Sequence, residues 1–308
     1  MSYGVAVTDL QQSLLLDSAS MYFRTFYGVP ESVTAPDGTP VGAVKGFLDA
    51  VARLIASYRP TDVVAAFDAD WRPEFRVALL PSYKAHRVAE GDVEEIPDLL
   101  SPQVPVIEQV LDAVGIARFG VSGFEADDVL ATLSERATGP VDVVTGDRDL
   151  FQLVDDRRRI RVLYTGRGFA KIEQLDEGAV RAKYGVAADH YADFAALRGD
   201  PSDGLPGAKG IGDKSAAILV NQFGTIEDIL AALDEPEVDV PYRAKLVSAR
   251  EYLALAPAVV RVRRDVPLPI HQSALPRQIA DPDALDWLAD RWGLQRSVAR
   301  LVATLPLD

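Results

Sequence analysis

The chain has 308 residues, no cysteine, and 46 acidic against 32 basic side chains, a formal net charge of −14. Without cysteine there can be no disulfide, thiolate zinc, iron–sulfur cluster or cysteine nucleophile, and with only His86, His190 and His271 any catalytic metal must be held mainly by oxygen, which favours Mg²⁺ or Mn²⁺. With 48% apolar residues, no apolar run near the ~18 residues of a membrane span and no basic flank leading an apolar stretch at the N-terminus, a cytoplasmic globular protein is expected.

In chain order, three short apolar runs end in aspartate: residues 14–16 close at Asp17, 63–67 at Asp68, and 141–144, through Thr145 and Gly146, at Asp147. Runs apolar on both faces suit strands of a parallel sheet covered by helices above and below. Between them, Val44, Phe47, Leu48, Val51, Leu54 and Ile55 give helical spacing over 41–58, stopped by Pro60. Further helices are expected over 104–114, ended by Gly115, and 125–137, ended by Gly139-Pro140. The order predicts a doubly wound, mainly parallel α/β sheet.

Residues 69–105 read as a long irregular stretch carrying Arg72, Arg76, Lys84 and Arg87 beside Trp71, Phe75 and Tyr83, a functional or mobile segment unless it is a plain surface loop. Residues 160–164 and 169–172 flank Thr165-Gly166-Arg167-Gly168 as an edge hairpin. From 185 the texture changes to short helices with glycine turns, which divides the chain into a core over 1–184, a helical lobe over 185–265 and a C-terminal segment over 266–308 packing on the core.

Ligands of an open parallel sheet bind beyond the carboxyl ends of its strands, so Asp17, Asp68 and Asp147 should meet in one crevice. Glu125, Asp127 and Asp128 open a helix after Gly123, Asp149 follows Asp147 by two residues, and Asp200 and Asp203 lie in the turn Gly199-Asp200-Pro201-Ser202-Asp203-Gly204. Taken singly, Glu125 and Asp128 read equally as helix-start charges, and Asp200 and Asp203 as turn residues. Together, nine acids at one edge would repel one another and weaken the fold unless cations offset them. A pair of hard divalent ions about 3.5–4 Å apart serves in-line phosphoryl displacement. The acidic balance, which would otherwise oppose a polyanionic partner, then does not exclude nucleic acid.

Leu205-Pro206-Gly207-Ala208-Lys209-Gly210-Ile211-Gly212-Asp213-Lys214 places three glycines before a helix opening near Asp213. The spacing is neither the Gly-x-Gly-x-x-Gly fingerprint nor a Walker loop. It has the form of a helix-hairpin-helix, in which amides of Gly207, Gly210 and Gly212 and the charges of Lys209 and Lys214 meet a DNA backbone without reading sequence; a plain glycine-rich turn is the alternative.

These blocks, with Tyr22-Phe23-Arg24-Thr25-Phe26, Phe67-Asp68, Phe75-Arg76, Tyr83-Lys84-Ala85-His86-Arg87 and Thr145-Gly146-Asp147-Arg148-Asp149-Leu150, resemble the bacterial 5′-nuclease or flap endonuclease family, similar to the 5′-nuclease domain of DNA polymerase I. The resemblance implies a PIN-like core, a helical arch over about 69–102 and a helix-hairpin-helix lobe. It implies cleavage of DNA near single-strand/duplex junctions of forked, flapped or nicked duplexes in replication and repair, by a monomer used at the nucleoid. Its metal-site acids map onto Asp17, Asp68, Glu125, Asp127, Asp128, Asp147, Asp149, Asp200 and Asp203, with two or more Mg²⁺ or Mn²⁺ expected. The catalytic set would be Lys84, Arg87, Asp147 and Asp149, with Lys84 and Arg87 on the scissile phosphate. Tyr83 would stack a base, Arg24 and Arg76 would contact DNA, and K⁺ would sit on the hairpin carbonyls.

Gly204 stands where the family often has Asn, and Trp71-Arg72-Pro73 replaces a more polar turn. No polymerase-length extension follows Asp308, so a stand-alone nuclease is expected. A haloacid-dehalogenase-like phosphatase would need an acid at Ala19; a small ribonuclease of a related acidic-site fold would lack the helical lobe, and a non-catalytic DNA-binding factor would not need the full acid set.

Overall fold

The computed structural model of the chain describes residues 11–88, 94, 96–269 and 272–308. Aliphatic and β-branched runs form one six-stranded sheet: β1 (Ser13–Asp17), β2 (Asp62–Ala66), β3 (Ala117–Phe119), β4 (Val141–Thr145), β5 (Ile160–Tyr164) and β6 (Glu173–Leu175). Its order is β3-β2-β1-β4-β5-β6, parallel throughout except for the antiparallel β5–β6 edge. The chain winds outward from β1 in both directions, so the topological switch point lies between β1 and β4.

β1 leads into α1 (Ser18–Gly28) and α2 (Gly42–Tyr58), β2 into α3 (Glu74–Leu79) and α4 (Val104–Val114), and β3 into α5 (Ala126–Arg136). After β6 come α6 (Glu177–Tyr184), α7 (Tyr191–Arg198), α8 (Asp213–Phe223), α9 (Ile226–Asp234), α10 (Arg243–Ser248) and α11 (Arg250–Val260), then α12 (Pro282–Trp292) and α13 (Gln295–Val302).

Side-chain alternation along the central strands splits the core in two. Leu14 and Leu16 point to a cluster with Phe47, Leu48, Ile107, Leu285 and Leu301, built on α2, α4, α12 and α13. Leu15, Val64 and Val143 point the other way, to Leu130, Phe151, Phe194, Leu219 and Leu253. That second cluster continues into α7, α8 and α11, so the helical lobe shares its core with one face of the sheet. Each fully buried Leu, Ile or Phe contributes about 1.5–3 kcal/mol, and both faces must be covered for a parallel sheet to persist. Among the described residues no single helix is long and apolar enough to cross a membrane.

Three details differ from the sequence expectation. The second arm of the edge hairpin is β6 at Glu173–Leu175 rather than 169–172, because Val162 pairs with Leu175 and leaves 165–172 as a loop over the sheet edge. β3 was not anticipated: three residues give no alternation to read. α11 was hidden by Pro257, a residue that ordinarily ends a helix but here lies inside one. Residues 89–93 and 95 of the expected arch lie outside the described residues.

Candidate active site

A cleft of about 1270 Å³ opens over the carboxyl ends of β1, β2 and β4, and Asp17, Asp68, Glu125, Asp127 and Asp147 line it. Asp17 ends β1 and caps α1, accepting the Ser20 amide at 3.0 Å. From it a relay crosses the switch point. Thr145 Oγ1 donates to Asp17 Oδ2 at 2.6 Å, the Asp147 amide donates to Thr145 Oγ1 at 2.8 Å, and the Asp149 amide donates to Asp147 Oδ1 at 2.9 Å. Asp68, just beyond β2, accepts the Ala126 amide at 2.7 Å at the start of α5. Thr145 stands in the sequence motif with no role assigned to it, since a hydroxyl at a strand end has no distinctive pattern.

The remaining acids are not among the residues that line this cleft. Asp149 Oδ1 is buried with no hydrogen-bond partner. Asp203 accepts from Arg87 Nη2 at 2.9 Å, and Asp200 stands 3.6 Å from Arg148 and 3.7 Å from Arg198. Asp128 corrects the expected metal set. It is fully buried, and its oxygens take Arg76 Nη1 and Nη2 at 2.7 and 2.6 Å and the Arg263 amide at 2.8 Å, so it faces away from the cleft.

Two expected DNA contacts are corrected for the same reason. Arg76 is 2% exposed, donating also to Glu125 Oε2 at 2.6 Å and to the Val259 carbonyl at 2.9 Å, so its guanidinium is an internal tie. Tyr83 is 5% exposed with its hydroxyl 2.8 Å from Glu125 Oε2, which leaves no face for a base. Lys84 and Arg87 do reach the site. Lys84 adopts a left-handed backbone (φ 49°), bonds Glu125 and donates to the Trp71 carbonyl at 3.3 Å. Such a conformation in a residue with a Cβ is strained and persists only where surroundings impose it. Here the Lys84 amide donates to the Asp203 carbonyl at 2.9 Å, docking the arch base on the lobe. Gly204 makes that docking fit: a Cβ there would lie 2.1 Å from the Ser82 carbonyl oxygen, which explains why Asn is absent from this position.

Arg24, expected to contact DNA, lines the cleft, donating to the Gly166 carbonyl at 3.2 Å with its Nε buried and unpaired. The cleft continues between α1, α2 and α13 past Arg53, Arg167 and Arg300, which sequence reasoning missed because nothing local joins residue 53 to residue 300. In the hairpin, Lys209, Gly210, Gly212 and Lys214 are exposed. Gly207 is corrected: it is buried, and a Cβ would meet the Arg198 carbonyl oxygen at 2.4 Å, so it serves close backbone packing rather than a phosphate.

Crowding sets the electrostatics. Burial, with lesser repulsion from Asp68 and Asp147, pushes the Asp17 carboxyl up to about 7 against the pull of Thr145 and Ser20. Burial and then Asp147 hold Asp127 and Asp149 well above the usual carboxylate range, and burial raises Asp203 despite Lys84. Burial also raises Glu125 against the pull of Lys84 and Arg76. Among the described residues no three acids stand close enough to form a finished metal cage. The donor set nonetheless fits hard divalent ions: carboxylate oxygens only, an orphaned buried oxygen on Asp149, and protons held where an ion would relieve the repulsion.

Comparison with known proteins gives one answer over nearly the whole chain. Residues 12–185 match the family model of the 5′-3′ exonuclease N-terminal resolvase-like domain, and residues 186–283 that of the 5′-3′ exonuclease C-terminal SAM fold. A 5′-3′ exonuclease of Streptomyces coelicolor is 59% identical, the match covering 95% of this chain and 99% of that one. A 5′-3′ exonuclease of Mycobacterium tuberculosis is 50% identical, over 95% and 97% of the two chains. The fold is similar to that of the bacteriophage T5 D15 flap endonuclease in a pseudo-enzyme-product complex with DNA and metal ions, with a TM-score of 0.61 at 16% identity, covering 95% of this chain and 98% of that one.

Proposed function

Because the chain belongs to the 5′-3′ exonuclease family, we propose that its cleft cuts DNA near single-strand/duplex junctions, acting on forked, flapped and nicked duplexes both as an exonuclease and as a flap endonuclease, as a cytoplasmic monomer serving replication and repair. One observation carries the reading. The carboxylates of Asp17, Asp68, Glu125, Asp127 and Asp147 face the same cleft into which the arch base sends Lys84 and Arg87.

Asp17, Asp68, Asp127, Asp147, Asp149, Asp200 and Asp203, with Glu125, would hold two or more Mg²⁺ or Mn²⁺. Such ions, when bound, polarise the phosphoryl oxygen and supply an attacking water made acidic near neutral pH. The chain's own cations do the rest: Lys84 and Arg87 place positive charge where negative charge builds on the phosphate. Their present partners, Glu125 and Asp203, keep both side chains in place before substrate arrives. Arg24, with its unpaired Nε, and the exposed Lys209, Gly210, Gly212 and Lys214 hold the backbone on either side of the cut.

The test is cleavage of 5′-flap, hairpin and linear duplex DNA with Mg²⁺ and with Mn²⁺, by the wild type and Asp147→Asn. The variant keeps an oxygen for the Asp149 amide, so the turn survives while a metal charge is lost. Forked DNA should still bind and cleavage should vanish. Activity within about tenfold of wild type, roughly 1.4 kcal/mol of barrier, would show the metal assignment to be wrong.

A further inference from the structure

The hairpin has a cation of its own that its sequence motif does not contain. Lys245, on α10, donates from Nζ to the Gly210 carbonyl at 2.8 Å. Its arm lies against the bare face of Gly210, where a Cβ would stand 3.1 Å from Nζ and 3.3 Å from Cε. The ammonium also sits 5.3 Å from the Tyr242 ring centre, a cation–π distance. α10 itself is fastened to the end of α9 by Arg243, whose guanidinium donates to the carbonyls of Leu233 at 2.7 Å and Val238 at 2.5 Å. The lysine is therefore ordered before any ligand arrives, and only one of its three N–H donors is used on Gly210.

Charge makes the placement informative. In a chain with 46 acidic residues, carboxylates pair with basic side chains across the surface, yet among the described residues none forms an ion pair with Lys209, Lys214 or Lys245. All three are exposed, and Lys245 is bonded to Gly210, next in the chain to the motif's Lys209.

We propose that Lys245 is the hairpin's built-in cation, neutralising the Gly210 carbonyl where a monovalent ion would otherwise sit and turning its remaining donors to a DNA phosphate. This rests on the reading that the hairpin grips the duplex backbone. It disagrees with the K⁺ that the resemblance implies: a carbonyl already held by an ammonium, on a site carrying that ammonium's charge, is a poor seat for a second cation.

Binding of metal-stripped protein to a forked duplex, measured over a range of NaCl and KCl concentrations, tests it with four proteins: wild type, Lys245→Met, Lys245→Arg and Gly212→Asp. Gly212 is the comparison because its backbone is extended, nothing lies within 4 Å of its would-be Cβ, and it caps α8 with no side chain, so Asp there keeps the helix while opposing a phosphate. Lys245→Met should bind about tenfold more weakly with its salt slope reduced by about 0.9, one phosphate's worth, and Lys245→Arg should restore both. Wild type should bind equally in NaCl and KCl. Unchanged affinity, or weaker binding with an unchanged slope, would make Lys245 a mere strut, and a wild-type preference for KCl would show that an ion does sit on the hairpin. If Gly212→Asp loses binding while Lys245→Met does not, only this inference fails. If folded Gly212→Asp also binds like wild type, the hairpin reading itself fails.

Discussion

Lys84 shows how one side chain can serve fold and chemistry together. Burial alone would lower its pKa, but Glu125 holds the ammonium charged well above its usual range, so on the proposed reading a phosphate would meet it as a full cation. Its left-handed backbone fixes where that charge points. Arg87 is held more loosely, on the surface side of Asp203. Removing either should therefore harm the chemical step more than the grip on duplex. Lys84→Ala and Arg87→Ala are expected to slow single-turnover cleavage by more than tenfold, about 1.4 kcal/mol, while forked-duplex affinity changes less than threefold. Equal losses in rate and affinity would reduce both residues to anchors.

Arg76 acts on whole elements. From α3 it reaches Glu125 and Asp128 at the start of α5 and the Val259 carbonyl in α11, joining the arch base, the sheet and the helical lobe through one guanidinium. Replacing it with Met keeps the volume and leaves two buried carboxylates facing each other, a class of change that costs about 3–5 kcal/mol. Urea unfolding of Arg76→Met should show a loss of that size, and double replacement with Asp128→Asn should recover part of it. A loss below about 1 kcal/mol would mean that the tie is not holding these elements together. The same residue marks the limit of legibility. Strand ends, the acid-rich helix start and the glycine hairpin were readable because each is a local pattern. Which way Arg76, Tyr83 and Asp128 face was not, because inward and outward are settled by partners distant in sequence: Val259, 183 residues from Arg76, Glu125 for Tyr83, and Arg76 and the Arg263 amide for Asp128. Lys245 and Thr145 escaped for a similar reason, being meaningful only through a partner distant in sequence or a turn in space.

For the molecule as a whole, the acid cluster is a liability that a bound ion would convert into a source of stability. Asp17 titrates near 7 in the folded chain against an ordinary 3.8, and Asp127, Asp149, Asp203 and Glu125 move the same way. The folded state thus holds protons more tightly than the unfolded state, so stability falls as pH rises from about 4 through about 7. Carboxylates shifted the other way, such as Glu227 under Arg261, titrate below their ordinary 4.5 and leave the upper part of that window clear. Metal-stripped protein should accordingly unfold at lower urea at pH about 8 than at pH about 5.5, and Asp17→Asn, which can still accept the Ser20 amide, should flatten that slope. Saturating Mg²⁺ should remove it, because the ion takes the place of the protons, and at a hundredfold over its dissociation constant it should add about 2.7 kcal/mol at pH 8. A metal-free protein whose stability rises over the same interval would mean that these carboxylates are already ionised and paired, and that the cleft does not need a cation to balance it.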